Sequence, residues 1–98
     1  MPGRDDWNNP ETDALADAFC SLTTRDEVKA FLRDLCTFNE IAELAQRWQI
    51  ARFLAEGLSY REIAEQAGAS TATVTRVNQW VQHGMDGYRT ALDRTGGR

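Results

Sequence analysis

Apolar residues recur at three and four spacing along nearly the whole chain. Leu15, Ala18, Phe19 and Leu22 form one stripe, and Val28, Phe31, Leu32 and Leu35 form a second. A longer stripe follows with Ile41, Leu44, Ala45, Trp48, Ala51, Leu54 and Ala55. This is the spacing of one helix face. No run alternates apolar and polar as a half-buried strand would. Start and stop signals divide the pattern. Thr24–Glu27, Thr37–Glu40 and Ser59–Glu62 each have the form of a capping box. Asn9 before Pro10 marks another start, with proline at the first helical position. Gly57, Gly68 and Gly84 stand where a left-handed residue ends a helix. The pattern predicts helices near 10–21, 25–35, 38–56, 60–67, 71–83 and 87–94. It leaves residues 1–9 as a flexible arm, on which Trp7 can pack back, and 95–98 as a frayed tail. Residues 10–94 form one all-α domain. The apolar faces can fold into their own core or interlock with a second chain, and periodicity does not separate the two.

A chain of 98 residues, 42% apolar, is one domain with a modest core. A dimer is therefore expected on physical grounds. The net charge of −4 runs against nucleic-acid binding, but it is unevenly spread. Residues 1–45 carry four basic and ten acidic side chains, whereas residues 46–94 carry six arginines against five acids. Cys20 and Cys36 fit no metal spacing and His83 is the lone histidine, so two reduced cysteines and no metal are expected. No catalytic set is present: nothing orients His83, and no glycine loop cradles a phosphate. An enzyme is not expected, nor a cofactor. No apolar stretch reaches the roughly 20 residues a membrane span needs, and no secretory signal pattern is seen, which makes the cytoplasm the expected location.

The segment from Ser59 to Trp80 holds the candidate chemistry. A helix-turn-helix needs a small residue where its helices cross, and Ala64 is one. It needs a turn residue tolerant of positive φ, and Gly68 follows four residues later. Ile63, Ala67, Ala69, Val74 and Val77 fall where the crossing must be sealed, and Ser70 caps the second helix. Thr71, Ala72, Thr75, Arg76 and Gln79 are left facing outward, and none is acidic. Threonine offers a methyl or a hydroxyl to bases, and arginine grips guanine or phosphate. Tyr60 and Arg61 open the first helix, where this motif meets the DNA backbone, and Ser70 and Thr73 complete the candidate DNA-binding set. A rival reading makes the helix-turn-helix a scaffold and the acidic N-terminal half a protein-interaction surface.

From about residue 30 to 94 the chain resembles the Trp repressor superfamily, and within it the Trp-repressor-related YerC/YecD type. The resemblance rests on Leu35-Cys36-Thr37, Ala45-Gln46-Arg47, Leu58 through Ile63, Ala72 through Arg76, and Gly87-Tyr88-Arg89. It implies a six-helix, intertwined homodimer that represses transcription by binding double-stranded DNA at a pseudo-palindromic operator. It also implies an effector pocket, whose matching positions are Thr37, Arg47, Thr73 and Arg76. The family's corepressor site carries a glycine after the second arginine and a serine three residues beyond. Here these are Val77 and Trp80, which are expected to fill the space a tryptophan ligand needs and leave the head independent of it.

Overall fold

The structure, a computed structural model, describes residues 4–96. Six α-helices and no strand occur among them. The chain divides after Phe38 into two units.

The first unit opens on a 3-10 turn over Arg4–Trp7, followed by α1 (Pro10–Cys20) and α2 (Arg25–Leu35). Part of the expected arm is thus locally ordered: Asn9 Nδ2 donates to the carbonyl of Asp6 at 2.7 Å. Residues 1–3 of that arm, and 97–98 of the expected tail, lie outside the described residues. Asn9 caps α1 through a reciprocal pair. Its Oδ1 accepts from the Thr12 N–H at 2.9 Å, and Thr12 Oγ1 accepts from the Asn9 N–H at 2.9 Å. The Thr24 cap accepts from the Glu27 N–H at 3.1 Å, as its pattern predicts. The glutamate reaches one residue further back than expected, to the N–H of Thr23 at 2.8 Å and its hydroxyl at 3.2 Å. Thr23 offers two donors to one carboxylate oxygen. Phe19 and Phe31 meet edge to face at 5.1 Å, yet neither α1 nor α2 contains a buried residue. Arg33 lies 3.7 Å over the ring of Phe38 and donates to the Cys36 carbonyl at 3.0 Å.

The second unit holds nearly all of α3 (Phe38–Ala55), then α4 (Tyr60–Ala67), α5 (Thr71–His83) and α6 (Gly87–Thr95). Its core is Ile50 and Ala51 of α3, Ile63 of α4, and Val74 and Val77 of α5. Trp48, Phe53, Leu54, Leu58, Ala64, Ala67, Ala69, Val81 and Tyr88 pack around it. Trp48 and Tyr88 stack with ring centroids 6.5 Å apart. The long stripe on α3 is covered only in part: Leu44 remains 46% exposed.

Gly57 and Gly68 are left-handed, with φ of 86° and 67°, as expected of helix stops. Gly84 is not. Its φ is −85°, and it is glycine for a different reason. A Cβ there would overlap the carbonyl oxygen of Trp80. The left-handed step falls two residues later, on Asp86 with φ of 65°.

Candidate nucleic-acid interface

Position 59 sets where α4 begins. Ser59 Oγ accepts from the Glu62 N–H at 3.2 Å, and Glu62 Oε1 accepts from the Ser59 N–H at 3.0 Å. The box is complete, and it leaves a mark on the acid. Hydrogen bonds from the Ser59 N–H, then from its hydroxyl, hold the Glu62 carboxyl below its ordinary pKa. The turn after α4 closes when the Ala69 N–H donates to the Ala64 carbonyl at 3.0 Å. Gln46 on α3 fixes that turn from outside. Its Nε2 donates to the carbonyls of Ala67 at 3.1 Å and Gly68 at 3.3 Å. Sequence reasoning gave Gln46 no structural role, because its partners lie 21 and 22 residues away.

Ser70 caps α5, accepting from the Thr73 N–H at 3.2 Å. The helix then turns Val74 and Val77 into the core. Thr71, Ala72, Thr75, Arg76 and Gln79 are all exposed and form the opposite, acid-free face. Thr75 donates its hydroxyl proton to the Thr71 carbonyl at 3.0 Å, which leaves its methyl and its oxygen lone pairs for a partner. Thr73 departs from this face: it is half-buried and borders a cleft. Tyr60 and Arg61 stand exposed at the head of α4. Arg61 is held loosely, 3.8 Å from Glu65. The Tyr60 hydroxyl oxygen accepts from Asn78 Nδ2 of α5 at 2.6 Å, a contact that no local sequence signal announces.

The cleft beside Thr73 measures about 470 Å³ and is lined by Glu43, Gln46 and Arg47 of α3, Thr73, Arg76, Val77 and Trp80 of α5, and Tyr88 of α6. Three of the four expected pocket residues, Arg47, Thr73 and Arg76, therefore meet there. Thr37 belongs to the first unit. Val77 and Trp80 do not fill the cleft as expected. Val77 is 4% exposed, drawn into the core one helical turn after Val74, and the Trp80 indole stands 64% exposed as a wall. Burial raises the pKa of the Tyr88 hydroxyl, with the Arg47 charge opposing. Among the described residues, no three His, Cys, Asp or Glu side chains gather as a metal site. No helix there is long and apolar enough to cross a membrane.

A helix-turn-helix on a small helical body, with an acid-free face on its second helix, defines a DNA-binding regulator. Residues 10–96 match the family described as Trp repressor protein, and the chain belongs to that family, in its YerC-type branch. It is 46% identical to the YerC protein of Bacillus subtilis (strain 168), over 92% of this chain and 86% of that one. It is 42% identical to a Trp operon repressor homolog of Chlamydia trachomatis serovar D, over 60% of this chain and 68% of that one. Its fold matches the crystal structure of a TrpR-like protein from Eubacterium eligens with a TM-score of 0.88 at 41% identity, covering 95% and 96% of the two chains. The family is one of transcription regulators rather than enzymes.

Proposed function

We propose that the chain represses transcription as a homodimer that occupies a pseudo-palindromic operator. The observation that carries this reading is the outer face of α5, five exposed side chains without an acid on a protein of net charge −4. Thr71, Ala72, Thr75, Arg76 and Gln79 enter the major groove, where Arg76 and Gln79 reach base edges and the shorter residues read methyl groups. Tyr60, Arg61 and Ser70 set the register through phosphates, whereas Thr73, turned to the cleft, is left out of the contact set. The two-chain state is supported by apolar side chains that stay exposed in one chain: Leu15, Leu35, Phe38 and Leu44. Twofold symmetry of the protein then demands matching half-sites.

The head works without tryptophan in this proposal. Arg47, Thr73 and Arg76 supply the polar frame of an effector pocket. However, the Trp80 indole stands as a wall where the family's corepressor site has a serine, and Glu43 lines the cleft with a carboxylate.

The test is selection of bound duplexes from a random library at fixed, near-physiological salt, with and without tryptophan. The expected product is one pseudo-palindrome in both arms, with half-sites about one helical turn apart. Thr75→Ala combined with Arg76→Ala is expected to abolish enrichment without unfolding the protein. Enrichment unchanged by that pair, or no enrichment at all, overturns the reading and favours an interaction module on the acidic half.

A further inference from the structure

A run of polar side chains joins α6 to the start of α4, and of its members the contacts proposed so far use only Tyr60. Arg89 donates from Nε to the Val81 carbonyl at 2.9 Å and from Nη2 to Gln82 Oε1 at 2.9 Å. Gln82 Nε2 donates onward to Asn78 Oδ1 at 3.5 Å, a long bond that orients more than it binds. Asn78 Nδ2 donates to the Tyr60 hydroxyl oxygen at 2.6 Å. The run crosses three helices, and its last bond spans 18 residues of chain.

Its direction follows from chemistry. A guanidinium has donors and no acceptor. Arg89 therefore fixes Gln82 with its oxygen toward α6 and its amide nitrogen toward Asn78. Turning the Asn78 amide over would set two NH2 groups against each other. Asn78 thus offers its oxygen to Gln82 and its nitrogen to Tyr60. The phenol oxygen receives a hydrogen bond, and its own O–H proton finds no acceptor among the described residues. Accepting a hydrogen bond also polarises that O–H into a stronger donor.

We propose that Asn78 is a positioning residue for DNA binding. It holds the Tyr60 hydroxyl by its oxygen and turns the proton outward to a phosphate oxygen of the duplex. The inference rests on the DNA reading above. Tyr60 begins the helix that crosses the backbone in this motif, and a neutral donor there sets register without reading sequence. Asn78 itself touches no DNA.

The test compares the wild type with Tyr60→Phe, Asn78→Leu and the double variant. Affinity for the selected operator is measured across salt concentrations, and thermal stability alongside. Tyr60→Phe is expected to weaken binding about tenfold, the loss of one charge-assisted hydrogen bond. Asn78→Leu is expected to weaken it about fivefold, and the double variant about tenfold rather than by the product of the two, because both act through one contact. The salt slope stays unchanged, since no charge is altered. Losses that multiply, or an Asn78→Leu loss that persists in the Tyr60→Phe background, overturn the proposal. So does operator binding by Tyr60→Phe at wild-type strength, which leaves the DNA reading intact. If the wild type selects no DNA, the DNA reading fails and this inference falls with it.

Discussion

Glu62 is fully exposed, yet its carboxyl is held below the ordinary pKa because Ser59 donates to it twice. Glu27 is held down in the same way by Thr23, first through its N–H and then through its hydroxyl. A carboxyl whose pKa is lower folded than unfolded releases its proton more readily in the native state. Its contribution to stability is complete above the ordinary carboxylate value of 4.5 and is lost as pH falls through the lowered one. The wild type should therefore melt above Glu62→Gln at neutral pH, and the gap should close in acid. Melting curves of the two proteins across that range provide the check. A gap that persists in acid would mean that the ionised cap is not its source. Both serine- and threonine-led patterns could be read from the sequence, because a cap acts within four residues. Which N–H the glutamate takes could not be read at Thr23–Thr24, where adjacent threonines present competing donors.

At the level of elements, glycines that look alike in the sequence stop helices by different physics. Gly68 sits at φ of 67° with nothing near a built Cβ, so Gly68→Ala costs backbone strain alone, about 1–2 kcal/mol. Gly84 has an ordinary φ, but its Cβ position meets the Trp80 carbonyl, so Gly84→Ala forces the end of α5 to move, about 1–3 kcal/mol. Asparagine separates the two. It tolerates the left-handed region, so Gly68→Asn should recover part of the loss, whereas Gly84→Asn should recover none. Denaturant midpoints of the four variants decide it, and equal recovery at both sites would contradict the assignment. The same contrast marks what was legible. Helix bounds at 25–35, 60–67 and 71–83 follow from caps and periodicity, which are local. The Gln46 clamp on the turn, the Asn78–Tyr60 bond and the left-handed Asp86 depend on folded neighbours. The site was legible to the same extent. Helical phase alone placed Thr75 and Arg76 outward, but it could not turn Thr73 to the cleft or leave Trp80 on its wall.

For the molecule as a whole, the balance of burial argues for a second chain. The core cluster is five residues, all in the second unit, whereas Leu15 is 39%, Leu35 48% and Phe38 71% exposed. Ninety-eight residues cannot leave so much apolar helix face in water without cost. The proposed dimer would cover it, and dimerisation ties stability to concentration, so the melting temperature should rise with protein concentration. Leu35→Glu tests the face directly. Twofold symmetry places the charge in the interface twice, and each lost leucine costs about 1.5–3 kcal/mol of burial before any charge is desolvated. The variant is expected to sediment as a monomer, to melt at a temperature independent of concentration, and to lose operator binding although every residue of the α5 face is intact. Thr75→Ala with Arg76→Ala should do the converse: it stays dimeric and loses DNA. If Leu35→Glu sediments like the wild type, that face is not the dimer interface. If it is monomeric and still binds the full operator with wild-type affinity, a single head is sufficient and the twofold operator is not required.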